Sequence, residues 1–121
     1  MSKKKTLVLG ASLNPARYSY LAIQRLTAYN HPVVAIGLKE GETAGVKIET
    51  EKVAFDNVDT VTLYLSPKRQ AQYYDYVVSL NPKRVIFNPG TENSEFYSIL
   101  RANGIEVEVS CTLVMLATKQ Y

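Results

Sequence analysis

The sequence predicts an α/β fold: a doubly wound, mostly parallel sheet of about five strands in a three-layer sandwich with helices on both sides. Two observations carry this. Short apolar runs alternate with amphipathic stretches along the chain, the pattern of strands joined by crossover helices. The chain also opens with such a unit. Thr6-Leu7-Val8-Leu9 runs into Gly10-Ala11-Ser12-Leu13-Asn14-Pro15, and an amphipathic segment over residues 16–30 follows: strand, glycine-led turn, helix.

The first strand is expected at residues 6–9. In the helix after it, Tyr18, Ala22 and Leu26 recur at i, i+4, and Leu21, Ile23 and Tyr29 broaden the inner face. Asn30 suits the left-handed end of a helix, and Pro32 prevents continuation. A second strand at residues 33–36 leads through Gly37 into a polar loop reaching Glu42. Val46 and Ile48 alternate with Lys47 and Glu49, which fits a short edge strand. A third main strand at residues 60–65 precedes Ser66 as N-cap and Pro67 in the first turn of a helix. Ala71, Tyr74 and Val78 line that helix, and Asn81-Pro82 ends it. Residues 84–87 form the fourth strand, turned out by Asn88-Pro89-Gly90. A helix over 93–103 turns Phe96, Ile99 and Leu100 inward and stops at Gly104. A fifth strand at 105–109 and a last apolar helical turn or two at 113–117 complete the fold.

At 121 residues the chain is expected to form a single domain, 1–121, with a proper core. No apolar run approaches the roughly 18 residues of a membrane span. Only four apolar-run residues separate Lys3-Lys4-Lys5 from Gly10, so no signal peptide is expected and the reading is cytoplasmic. The net charge of +3 equals the contribution of those three lysines. A short lysine cluster on a near-neutral chain reads as a solvated tail, and nucleic acid is not an expected partner. Cys111 and His31 are the lone cysteine and histidine. They exclude an internal disulfide and leave a Cys/His zinc site without ligands.

In a doubly wound sheet ligands bind outside the carboxyl ends of the strands. The loops there are rich in Gly, Pro, Ser and Asn. The first one lacks the three-glycine dinucleotide fingerprint, since Leu13 and Pro15 stand where further glycines would fall. Ser12, Asn14 and Ser19 supply donors near a helix start that favours an anion. Arg17 is either a phosphate ligand or a solvated arginine. An NAD site expects an acid at the end of the second strand, where this chain has Ile36-Gly37-Leu38-Lys39. Lys39 suits a ribose carrying a phosphate, as in CoA or NADP, or is a surface lysine.

The order of these residues resembles a known family. Gly10-Ala11-Ser12, Asn14-Pro15, Arg17 and Ser19 come first, then Lys39, Ser66-Pro67, Gly90-Thr91-Glu92-Asn93 and a late Cys111. This is similar to the small stand-alone CoA-binding domains, which are themselves similar to the CoA-binding domain of the succinyl-CoA synthetase alpha subunit. The resemblance spans nearly the whole chain and implies a Rossmann-like fold with CoA or acyl-CoA as ligand. It implies phosphates held by Gly10, Ala11, Ser12, Asn14, Pro15 and Ser19, with Arg17 beside them. It brings Lys39 to the ribose phosphate, counts Gly37 among the cofactor-binding positions, and sets Ser66 and Pro67 near the adenine or pantetheine arm. Asn88, Gly90 and Asn93 would close the far side. Two positions depart from the family's habit: Gly37-Leu38 replaces Asn-Pro, and Val109-Ser110 replaces Asp-Arg before the cysteine.

Cys111 follows a strand where thiol pKa can fall, although a small buried apolar role suits it better. His31 falls at the other end of the sheet and reads as a turn residue. Glu40, Glu42, Glu92 and Glu95 form no recognisable acid/base pair. The expectation is a binding protein without chemistry of its own, monomer or homodimer. The alternatives are an NADP- or NAD-binding module and an interaction protein that has lost its ligand.

Overall fold

The computed structural model describes residues 2–121. Its strands are β1 (Thr6–Ala11), β2 (Val33–Gly37), β3 (Gly41–Thr43), β4 (Val46–Glu49), β5 (Thr60–Leu63), β6 (Arg84–Phe87) and β7 (Glu106–Val109). Its helices are α1 (Tyr18–Ala28), α2 (Pro67–Gln70), α3 (Tyr74–Leu80), α4 (Ser94–Ala102) and α5 (Thr112–Ala117). The strands form a seven-stranded sheet of order β3-β4-β2-β1-β5-β6-β7. Every neighbouring pair is parallel except β3 with β4. From β1 the chain winds outward through β2 to β4, then returns to β5 and winds the other way. The direction reverses between β1 and β5, so the crevice at their carboxyl ends is the ligand position of a doubly wound sheet.

The sheet therefore has seven strands where about five were expected. The short strand expected around Val46 and Ile48 is β4, but it is not the edge, because β3 pairs on its outer side. The strand that the sequence does not announce is β3, which lies in the expected polar loop. It hairpins onto β4 through Ala44 and Gly45, both at positive φ (52° and 75°), the geometry of a tight two-residue hairpin turn. An Ala-Gly pair is a weak turn signal, and a three-residue strand has no periodicity to read.

Two apolar layers flank the sheet. Leu7, Leu9, Val61, Leu63, Val85 and Phe87 face Val77, Phe96 and Leu100 from α3 and α4. Val8, Ala35 and Ile86 face Ala22, Ile23 and Leu26 of α1 and Met115 and Leu116 of α5. Ala11 belongs to this second layer although strict alternation from Leu9 would put it in the first. The cause is a bulge: the register against β2 shifts between Leu9 and Ala11, and an extra residue flips everything after it. Gly10 is that residue. The strand thus runs on through the expected turn.

Two helix expectations need correction. Tyr18 is 71% exposed, whereas Ser19 is buried, so the inner stripe of α1 is Ser19, Ala22, Ile23 and Leu26. The helix after β5 is broken into α2, a 3₁₀ turn (Ala71–Tyr73) and α3. That change of winding exposes Ala71 and gives the fully buried place to Val77, with Tyr74 and Val78 half-buried. The left-handed residue expected at Asn30 is present, with φ of 65°, and Asn81, where the helix after the third main strand was expected to end, is left-handed as well, with φ of 50°.

Candidate functional site

A cleft of about 630 Å³ opens at the carboxyl ends of the strands, within the size range of small-molecule sites. Its floor is the bulge. Gly10 has φ +99° and passes against the backbone of Tyr64, so the β1 and β5 loops meet there with no side chain between them. The loop beyond is braced from within. Ser12 Oγ accepts the Asn14 N–H and Asn14 Oδ1 accepts the Ala16 N–H, each at 3.0 Å. The Asn14 carbonyl accepts the Arg17 N–H at 3.0 Å. These bonds use acceptors, so the Ser12 hydroxyl proton and the Asn14 amide protons are what the loop can offer a ligand.

Arg17 occupies the N-cap of α1 in extended conformation, and no side chain caps that helix. The N–H groups of its first turn keep their unsatisfied partial positive charge. Arg17 and Ser19 line the cleft on this side, Lys39 after β2, and Ser66, Arg69 and Gly90 over β5 and β6. Three cations thus surround the cleft, and no carboxylate among the described residues lines it. Among the described residues none of the three makes an ion pair.

Of the expected site residues, Gly10, Ala11, Ser12, Asn14, Arg17, Ser19, Lys39, Ser66 and Gly90 line this cleft. Pro15, Gly37, Pro67, Asn88 and Asn93 do not. Gly37 is required by packing, because a Cβ there would stand 2.3 Å from the Ala11 carbonyl oxygen. Pro67 starts α2. Asn88 is buried and fully used, donating to Thr62 Oγ1 (2.7 Å) and the Leu63 carbonyl (2.9 Å) while accepting the Thr112 N–H (2.9 Å). Asn93 caps α4 by accepting the Phe96 N–H, and donates to Gln70 Oε1 and Tyr74 Oη. These two asparagines build the cleft walls from behind.

The loops after the strands are expected to line one crevice, and Leu13, Tyr18, Leu38, Pro89 and Thr91 do so as members of those loops, while Tyr64, Leu65 and Arg69 line the cleft from outside them. Leu13, Tyr18 and Leu38 are exposed, Leu38 by 75%. Three exposed apolar side chains on one rim are a signal that helical periodicity hid, since it assigns Tyr18 to the core. Gln70 was missed by sequence reasoning. It is buried, and its amide donates to the Leu65 carbonyl (2.9 Å) and the Thr91 carbonyl (2.8 Å), tying the β5 and β6 loops together. Tyr64 contributes to the cleft wall, while its hydroxyl is buried without a partner. Burial pushes that phenol up to about 12.

Cys111 is half-buried at the N-cap of α5 and does not line the cleft. The buried apolar role expected for it is therefore only half met. His31 is buried at the opposite end of the strands. Its Nδ1 accepts the Lys4 N–H at 3.0 Å and its ring packs 4.9 Å from that of Tyr121. Among the described residues no cluster of His, Cys, Asp or Glu could hold a metal ion. No helix described is long and apolar enough to cross a membrane.

The fold and the cleft define a doubly wound domain with a crevice at its switch point lined by Arg17, Lys39 and Arg69. The chain belongs to the CoA binding domain family, whose model matches residues 4–117. It is 50% identical to a crystallised protein described as uncharacterized, over 100% of both chains, with a TM-score of 0.97. It is also similar in fold to the cell-free ID.343 protein of Thermus thermophilus: 20% identity, 98% of this chain, 91% of that chain, TM-score 0.86. A hypothetical protein of Pyrococcus horikoshii gives 22% identity, 98% and 84% coverage, and a TM-score of 0.86. No curated protein sequence matches.

Proposed function

We propose that the cleft binds CoA or an acyl-CoA and that this chain acts as a binding protein rather than an enzyme. The observation that carries the reading is the charge pattern: among the described residues, three unpaired cations and no carboxylate line a crevice that the uncapped N-terminus of α1 enters, and the nearby Glu92 carboxylate accepts the Gly90 N–H at 2.9 Å. In that reading the pyrophosphate lies over Gly10, Ser12 and Asn14, against the first-turn N–H groups of α1, with Arg17 beside it. Lys39 meets the ribose phosphate. Leu13, Tyr18 and Leu38 form an apolar rim on the Lys39 side that suits a purine. Across the switch point the lining is Tyr64, Leu65, Ser66, Arg69, Pro89, Gly90 and Thr91, and in this reading the pantetheine chain runs over the small residues among them.

Lys39 would meet the 2′-phosphate of NADP by the same chemistry, and that is the second reading. Calorimetric titration with CoA, acetyl-CoA, NADP and NAD separates them, with native mass spectrometry for ligand retained through purification. Micromolar binding of the CoA ligands alone is expected. Preference for NADP moves the protein to a redox role, and no binding to any of the four leaves an interaction role for the fold.

A further inference from the structure

We infer that Arg69 reads the acyl group, and that the preferred ligand is an acyl-CoA whose acyl chain ends in a carboxylate. The inference rests on the CoA reading above and concerns the part of the ligand that reading leaves open.

The three cations of the cleft are divided by the switch point. Arg17 stands at the start of α1, which leaves β1 for one face of the sheet; Arg69 lies in α2, which follows β5 on the way to the other face. Lys39 follows β2, two strands away from β5 in the sheet order. In the CoA reading the pyrophosphate and the ribose phosphate find their partners on the β1 and β2 side. Pantetheine, which that reading lays on the β5 and β6 side, carries only neutral amides, which give a guanidinium no opposite charge to meet. In that orientation an anion that meets Arg69 comes from beyond the thiol, from the acyl group. A terminal carboxylate is the group that a free guanidinium binds best, through two parallel N–H···O bonds.

The position is also built. The Arg69 N–H donates to the Ser66 carbonyl at 2.9 Å. The adjacent Gln70 side chain is buried, with its amide and carbonyl used by Leu65, Thr91 and Asn93. The backbone that carries Arg69 is thus fixed to the β5 and β6 loops, and only the side chain is free to meet a ligand. Preorganisation of this kind lowers the ordering cost of binding.

The test compares glutaryl-CoA with valeryl-CoA, acyl groups of equal chain length that differ in the terminal carboxylate, with CoA titrated alongside. The wild-type protein is expected to bind glutaryl-CoA at least about ten-fold tighter, the range of a charge-assisted hydrogen bond. In Arg69→Gln the ratio of the two affinities is expected to fall to about one, and Arg69→Lys should recover part of it. Equal affinities in the wild type overturn the inference. So does a ratio that survives in Arg69→Gln, which would make Arg69 a phosphate ligand or a bystander. If CoA binds in either case, the CoA reading stands without the acyl preference; if neither CoA nor its thioesters bind, both fall together.

Discussion

Gly10 approaches Tyr64 so closely that a Cβ built on it would lie 2.9 Å from the Tyr64 carbonyl carbon and 3.0 Å from the oxygen. This contact between the bulge of β1 and the end of β5 brings the two central loops together at the switch point. A side chain would push them apart and would also be strained at φ +99°. Gly10→Ala is expected to cost about 2–4 kcal/mol, from left-handed strain and overpacking against backbone. Urea unfolding measures it. A loss below about 0.5 kcal/mol, the size of a neutral surface change, would show that the loops part without resistance.

Lys39 tests the orientation of the ligand. Lys39→Ala should weaken CoA by about ten-fold or more, as for a lost charged hydrogen bond, and should leave dephospho-CoA nearly untouched. Equal losses for the two would refute the placement of the ribose phosphate. The CoA affinity of the wild type should also fall as salt is raised, because the cations at the cleft face solvent.

Asn88 separates a structural role from a binding one. Asn88→Leu leaves the Thr112 N–H and the Leu63 carbonyl without this partner. The expected cost is about 2–4 kcal/mol of stability, with α5 loosened at its start. Titration of the folded variant should give a CoA affinity close to that of the wild type. The reverse result, intact stability with lost affinity, would place Asn88 in contact with the ligand.

His31 should make stability depend on pH. Burial lowers its pKa from 6.5, and Lys3, Lys4 and Arg84 add to the shift. Its Nδ1 is already an acceptor for Lys4, so the ring is neutral with the proton on the buried Nε2. The unfolded chain therefore takes up a proton before the folded one does. Stability should be flat above about 6.5, decline as the pH falls below it, and level off beneath the folded pKa. His31 is the lone histidine, so His31→Gln should remove the slope from unfolding curves taken between about pH 7.5 and pH 5. A slope that persists would assign it to carboxylates.

Much of the fold was legible because its signals are local. The apolar runs at Thr6, Val33, Thr60, Arg84 and Glu106 all become strands, and the Asn30, Asn81 and Gly104 stops fall where backbone with positive φ requires them. β4 was legible from its alternation, but β3 was not, because its three residues are held by pairing against β4 rather than by their own composition. In the cleft, the loops were legible as loops, from their Gly, Ser, Asn and Pro residues and their position after strands. The division of labour within them was not. Asn88 and Asn93 are chemically suited to a ligand, yet their hydrogen bonds are spent on Thr62, Thr112, Gln70 and Tyr74.

By itself, the sequence determined the fold class, the winding, the end of the sheet that holds the cleft and the identity of its central loop. Each of these follows from hydrophobic period, turn chemistry and the handedness of crossovers. Only the tertiary structure decided that Tyr18 faces the cleft rim, that Arg69 joins Arg17 and Lys39 around one cavity, and that Gln70 locks two loops together. Those relationships join residues from different crossover units. They depend on the bulge at Gly10 and on the break between α2 and α3, small changes of register and winding that turn side chains toward another face without altering the pattern of apolar residues along the chain.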